Sequence, residues 1–410
     1  MINARKAVLS IALLLICGVL AAAPFPAEPA DSIRRIVVFR GSIPSSQQVA
    51  VAQASGGVVV RALPLINAVV IAVPKARAKA ADLQLQSRPE VAWVDEDPKV
   101  NWLNASPQSL ADIVWPDIHS VIKPFRGTGA ARKLPWGIVR VNAPGAWSVT
   151  RGEGVKVCVI DTGIDYAHPD LEANIRGGWN AIERNDDFMD DNGHGSHVAG
   201  VIAAVDDGSG VVGVAPQASI YGVKVLDAAG GGNFDDVIAG MQWAVDNRMD
   251  VASMSLGTGR GNDSLKAAVE AMAKNGVVLV AAAGNAGPGE NTVIFPGGYP
   301  GAVAIAASDS SDQIAYFSSR GDAVALAAPG VGIYSTFKNG GYKTLDGTSM
   351  ATPHVSGLAA LFISAKGVRG LDAVRAALIR AATPLKGVSG EPFSARWQGA
   401  GMADAAKLVR

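Results

Sequence analysis

Val155-Lys156-Val157-Cys158-Val159-Ile160-Asp161-Thr162-Gly163-Ile164-Asp165 is the stretch whose reading settles the rest of the chain. Its first six residues are apolar except Lys156. They lack the in–out alternation of a half-wet strand, which marks a strand covered on both faces, the kind that builds parallel sheets. The strand ends in an acid and a Thr-Gly turn, and in such sheets chemistry gathers at the carboxyl ends. Working outward, strands are expected at 219–224, 251–256, 277–282, 302–306 and 323–327, with helices at 196–205, 233–247, 264–275, 352–365 and 372–382. This alternation predicts an α/β fold over residues 135–410: three layers, a parallel sheet between two layers of helices.

Residues 31–100 read differently. Strands at 33–40, 57–66, 68–74 and 91–94 and helices at 45–55 and 75–86 give the order βαββαβ. That order predicts a small α+β domain, an open sheet with helices on one face. Residues 101–134 contain Pro107, Pro116 and Pro124 without periodicity and are expected to be a linker open to cleavage. At the start, Arg5 and Lys6 precede an apolar run at 7–23, followed by small residues. Charged, apolar, then small is the layout of a secretory signal, expected over residues 1–30. A secreted protein is predicted, extracellular or periplasmic. The cysteines are Cys17 and Cys158, so the exported chain would have no intrachain disulfide. Export without disulfides points to a bacterial source and to another stabilising device, such as a bound metal.

The 410 residues have zero formal net charge, but the charge is unevenly placed. Lys and Arg outnumber Asp and Glu by 15 to 9 in residues 1–134, and are outnumbered 21 to 27 in residues 135–410. Complementary charge fits two parts that associate. No basic patch interleaved with aromatics is present, which argues against nucleic acid as a partner. A monomer is expected.

Three strand–helix junctions carry reactive residue types. The first is Asp161. The second is Asp191-Asn192-Gly193-His194-Gly195-Ser196-His197-Val198-Ala199-Gly200, a turn opening a helix. The third is Leu345-Asp346-Gly347-Thr348-Ser349-Met350-Ala351-Thr352-Pro353-His354, where Ser349 is expected at a helix N-terminus with Pro353 in the first turn. Unpaired N–H groups and the positive helix end suit a nucleophile whose reaction creates an oxyanion. His194 and His197 have metal-pair spacing, but the glutamate of a His-Glu-x-x-His site is missing.

Val159-Ile160-Asp161-Thr162-Gly163, His194-Gly195-Ser196-His197-Val198-Ala199-Gly200 and Gly347-Thr348-Ser349-Met350-Ala351-Thr352-Pro353-His354 resemble the three signature blocks of the subtilisin-like serine proteases, in that family's order. Residues 33–100 resemble its inhibitory propeptide through the element order and Val91-Ala92-Trp93-Val94-Asp95-Glu96-Asp97. The resemblance implies a serine endopeptidase with Asp161, His194 and Ser349 as triad, and Asn285 beside the Ser349 N–H as oxyanion donor. It implies polypeptide substrates held between Gly230-Gly231-Gly232 and Ser255-Leu256-Gly257, with Ile294 as floor of the pocket for the side chain before the scissile bond. It implies structural calcium on Asp170, Val205, Asp207, Ser209 and Val211, although Arg132 or its neighbours fall where the family often supplies a glutamine. The propeptide would act as intramolecular chaperone and inhibitor and be removed by self-cleavage. Two other classes remain as readings. One is a catalytically silent relative that only binds; the other is a serine esterase on another α/β fold, for which the Gly-x-Ser-x-Gly elbow is absent.

Overall fold

The computed structural model describes residues 28–103 and 133–410. Nearly all of the expected signal and most of the linker, Arg132 included, lie outside the described residues. Among the described residues no helix is long and apolar enough to cross a membrane.

The first unit comprises β1 (Ser32–Phe39), α1 (Ser45–Ala54), β2 (Val58–Leu63), β3 (Ala68–Pro74), α2 (Ala78–Gln86), β4 (Val91–Glu96) and the short β5 (Lys99–Asn101). Four strands form an antiparallel sheet in the order β2-β3-β1-β4. The apolar run of β1 is shared between two faces by the period of two. Val37 and Phe39 pack with Val51, Ala52 and Leu85 beneath α1 and α2. Ile36 and Val38 point the other way, into a cluster with Phe234, Val237, Ile238 and Leu265 of the second unit. The small domain therefore has helices on one face, as expected, and a partner on the other.

The second unit runs through α3 (Trp136–Arg140), β6 (Lys156–Asp161), β7 (Ile175–Asn180), α4 (His194–Ala203), β8 (Ser219–Lys224), β9 (Gly231–Asn233), α5 (Phe234–Asp246) and β10 (Val251–Met254). It continues with α6 (Asp263–Lys274), β11 (Val278–Ala282), β12 (Ala302–Ser308), β13 (Val324–Pro329), β14 (Ile333–Phe337), β15 (Gly341–Leu345), α7 (Thr348–Lys366) and α8 (Leu371–Ala381). Seven strands make a parallel sheet in the order β13-β12-β11-β10-β6-β8-β7. Residues of α4 and α7 fill the core on one face, and those of α5 and α6 fill it on the other. The chain leaves β6 toward β8 and returns to pair β10 on its opposite side, which places a topological switch beside Asp161.

α7 starts at Thr348, four residues before its sequence-expected start, so Pro353 is not in the first turn but inside the helix. Its missing N–H deprives the Ser349 carbonyl of a helical donor. The Ser255 hydroxyl supplies one instead, at 2.7 Å. The edge strand β7 escaped sequence reading because Gly177 and Gly178 interrupt its pattern. A Cβ at Gly178 would stand 2.1 Å from the Gly222 carbonyl oxygen of β8, so only glycine lets the two backbones pair.

The two units meet along three features. β5 pairs antiparallel with β9, Val100 opposite Gly232 and Asn101 opposite Gly231. Just beyond, Trp102 N–H donates to the Gly230 carbonyl and Gly257 N–H to the Trp102 carbonyl, both at 2.9 Å. Asp97 accepts the Asp235 N–H of α5 at 2.9 Å, and Asp95 accepts the Ser264 N–H of α6 at 2.8 Å. Each carboxylate thus satisfies an orphan donor at a positive helix end. Finally, Arg34 and Arg61 reach Asp235 at 2.5 and 3.1 Å, and Arg61 reaches Asp236 at 3.0 Å. The charge division seen in the sequence is located here.

Candidate active site

Asp161 ends β6, is fully buried, and accepts on Oδ1 both the Thr162 N–H at 2.7 Å and the His194 Nδ1–H at 2.8 Å. His194 is the first residue of α4, whose first turn is held by Asp190. That acid accepts the Gly193 N–H at 2.8 Å and, on its other oxygen, the Ser196 N–H and Oγ–H at 2.9 and 2.6 Å. Thr162 Oγ bridges the two junctions, donating to Asp190 at 2.8 Å and accepting the Gly195 N–H at 2.9 Å. A Cβ at Gly195 would stand 2.0 Å from the Gly163 carbonyl oxygen, so glycine is required for helix and turn to close on each other. Burial works to lower the His194 pKa, but the charge and hydrogen bond of Asp161 and the charge of Asp190 outweigh it and raise it above an ordinary imidazole.

Ser349 is the second residue of α7, which packs on α4. Its hydroxyl donates to the Ser255 carbonyl at 3.0 Å. Asn285 Oδ1 accepts both the Thr348 N–H and the Thr348 hydroxyl, each at 2.9 Å. The amide is thereby oriented with Nδ2 toward Gly347. Gly347 has φ +148, and a Cβ there would stand 3.5 Å from Asn285 Nδ2 and 3.6 Å from Ser349 N. The absent side chain leaves a niche faced by two N–H donors.

Ile294 is buried and lies between Gly257 and Gly284. A Cβ on Gly257 would come within 2.5 Å of Ile294 Cδ1, and one on Gly284 within 2.8 Å of its Cγ2. The segments carrying Gly257 and Gly284 are thus bridged by this side chain. Gly230–Gly232 and Gly257 flank the 99–102 segment, as described above.

Two further histidines, His197 and His354, are buried and neutral. His197 donates from Nε2 toward the Ile333 and Lys343 carbonyls at 3.0 and 3.1 Å, and burial holds its pKa down to about 3. His354 donates to the Met350 carbonyl at 2.9 Å, and burial lowers it to about 4. The i, i+3 pair at 194 and 197 therefore diverges, one ring toward Asp161 and the other into the base of β14 and β15.

The residues expected to hold calcium gather around one loop. Asp170 is buried, accepts the Val211 N–H at 2.7 Å, and would be touched at 2.1 Å by a Cβ on Gly210, where the backbone has φ +53. Burial raises its pKa, and the charge of Asp207 adds to the rise. Asp207 is tied to the Ser209 N–H and hydroxyl at 2.9 and 2.8 Å. Among the described residues no three His, Cys, Asp or Glu side chains converge, so a cation here would rest on two carboxylates plus backbone carbonyls. That all-oxygen set fits a hard divalent ion.

Asp190 and Lys224 are site residues the sequence reading missed. Lys224 ends β8 and donates to the Thr162 and Leu226 carbonyls at 2.8 and 2.9 Å and to Asp191 at 2.7 Å. A lysine closing an otherwise apolar strand was the available signal.

The model of the Subtilase family matches residues 152–401. Subtilisin E of Bacillus subtilis (strain 168) is 48% identical over 238 residues, 57% of this chain and 62% of that protein. Subtilisin of Bacillus pumilus is 46% identical over 238 residues, 57% and 86% of the two chains. M-protease of Shouchella clausii (strain KSM-K16) is 45% identical over 247 residues, 60% and 64%. The matched region spans about three fifths of the length of the first of these relatives.

Proposed function

Since the chain belongs to the subtilase family, we propose that it is a secreted serine endopeptidase made as a self-processing precursor. The observation that carries this reading is the buried Asp161 carboxylate hydrogen-bonded at 2.8 Å to His194 Nδ1, which leaves Nε2 as the base. Ser349 turns from the Ser255 carbonyl to give its proton to that nitrogen as it attacks the scissile carbonyl. Asp161 fixes the tautomer and stabilises the imidazolium that forms. The tetrahedral oxyanion settles in the niche above Gly347, facing the Ser349 N–H and Asn285 Nδ2. His194 then hands its proton to the leaving amine, and water repeats the sequence on the acyl-enzyme.

Substrate lies extended where 99–102 lies now, and this supports residues 31–100 as the inhibitory propeptide: the chain at its end fills the cleft, and its acids cap α5 and α6. Ile294 closes the pocket for the residue before the scissile bond and favours small or medium apolar side chains there. Calcium, held by Asp170, Asp207 and the carbonyls of Val205, Ser209 and Val211, would stiffen the loop after α4 and supplies no catalytic step.

A fluorophosphonate probe and the Ser349→Ala variant test the reading together. The wild type should be labelled at Ser349 and lose residues 31 to about 130, whereas the alanine variant should remain full-length and inert. Processing of the alanine variant expressed alone would refute self-cleavage, and an unlabelled, inactive wild type would refute the peptidase.

A further inference from the structure

Asp227 stands on the turn between β8 and β9, and its carboxylate is held in place. Oδ1 accepts the N–H groups of Ala229 and Gly231, both at 2.9 Å, while its own N–H donates to the Gly231 carbonyl at 2.8 Å. Oδ2 receives the Lys99 ammonium at 2.6 Å. The lysine reaches it by lying flat over Gly231, where an added Cβ would stand 3.1 Å from Lys99 Cε and 3.2 Å from Asp227 Oδ2. Glycine at 231 therefore keeps the path open.

Lys99 belongs to β5 and is paired with Asn233, in the segment that runs between Gly230–Gly232 and Gly257 as a bound peptide would. Each side chain of that segment shows what its place in the cleft accepts. Trp102 is buried edge-on against Phe234, with ring centroids 4.9 Å apart. Lys99 finds a fixed carboxylate. When Arg34 and Arg61 depart with the first unit, Asp235 and Asp236 lose their cations as well. Arg184, on the wall of the cavity of about 190 Å³ beside Gly232, remains within electrostatic reach of those acids.

We propose that Asp227 determines specificity upstream in the cleft, selecting lysine or arginine at the substrate residue that pairs with Asn233, three residues ahead of the one in the place of Trp102. This rests on the endopeptidase reading and narrows it: the favoured substrates are polypeptides with a cation ahead of the apolar residues that fill the rest of the cleft. The attraction is between partly exposed charges, so it is modest and salt-sensitive.

The test uses enzyme matured from the full chain and three internally quenched peptides, Xaa-Val-Asn-Trp-Leu extended by the same tail, with Lys, Leu or Glu first. Mass spectrometry checks that the same bond is cut in each. The kcat/KM ratio of the Lys to the Glu peptide should be roughly tenfold at low ionic strength and shrink in about 0.5 M salt. Asp227→Asn keeps the acceptor for Ala229 and Gly231 but should bring the ratio within about twofold of one, and Asp227→Lys should invert it. Ratios within one preparation cancel any difference in folded fraction. Equal rates for Lys and Glu in the wild type, or a preference that survives Asp227→Asn, would overturn the subsite alone. Failure to cut any of the three would overturn the endopeptidase reading and the subsite with it.

Discussion

Replacing Ile294 by glycine should open the pocket for the residue before the scissile bond. The wild-type side chain fills the gap between two glycines, its Cδ1 2.5 Å and its Cγ2 2.8 Å from where Cβ atoms at 257 and 284 would stand. Four carbons are removed, and the two walls are held by other contacts: Thr258 N–H donates to the Phe295 carbonyl at 2.8 Å beside Gly257, and Gly284 N–H donates to Thr348 Oγ at 3.1 Å. An aromatic ring can then enter. Burying a phenylalanine side chain contributes roughly 1.5–3 kcal/mol, equivalent to roughly ten- to a hundredfold in kcat/KM. The variant should therefore gain about that factor for Phe over Ala, while the wild type prefers Ala or Leu. The assay is kcat/KM for peptides differing only at this residue, with the cut bond identified by mass. A wild type that already cleaves after Phe faster than after Ala or Leu would sink the argument, as would an unchanged Phe-to-Ala ratio in Ile294→Gly.

Gly347→Ala should place a methyl group in the oxyanion niche and lower kcat by roughly a hundredfold or more with little change in KM; a variant with normal kcat would show that the oxyanion does not lie there. Because Asp161 raises the His194 pKa and the neutral ring is the base, kcat/KM should climb with pH through a midpoint above the ordinary imidazole value. That midpoint should move down in Asp161→Asn, and a profile flat from about pH 5 to 9 would exclude His194 as base. Burial and the adjacent Asp235 hold Asp236 up to about 6, so its folded form retains a proton that the unfolded chain releases near about 4. That contribution to stability is present below about pH 4 and lost as pH rises to about 6. The thermal midpoint of the Ser349→Ala precursor should fall over that interval, and by less when Asp236→Asn is added; equal slopes would refute it. EDTA should lower the thermal midpoint of the mature enzyme by removing a ligand bound only to the folded state, and an unshifted midpoint after full metal removal would dismiss calcium.

Central strands and amphipathic helices were legible because burial leaves a periodic trace. The strand at 219–224 was placed to the residue, and the helix expected at 264–275 is found one residue earlier, at Asp263–Lys274. The three reactive junctions were legible because their residue types are unusual at such places. What escaped was structure whose cause lies elsewhere in the chain. β9 is three residues of Gly-Gly-Asn, and it is a strand because β5 pairs with it. β5 straddles the boundary drawn at 100–101, since no local pattern tells a linker from a segment seated in a cleft. The hairpin of β14 and β15 owes its place partly to the His197 ring beneath it, a contact between residues 136 and 146 positions apart. Pro353 misled because a proline inside a helix is tolerated when another group takes over the freed carbonyl, and Ser255 lies 94 residues away.

The location of Ser349 on α7 sets when the molecule can act. α7 runs against β10, β11, β12 and β13 and against α4, so it stands only after those elements have stacked. Asp161 precedes His194 by 33 residues, and Ser349 is on an element near the far end of the chain. A nascent chain, or a copy opened by heat, offers extended backbone to its neighbours while lacking the assembled site. Under the peptidase reading such a copy is prey and never predator. Digestion of one molecule by another then requires an intact attacker and an opened victim, so self-destruction is a collision between copies, and dilution protects the population.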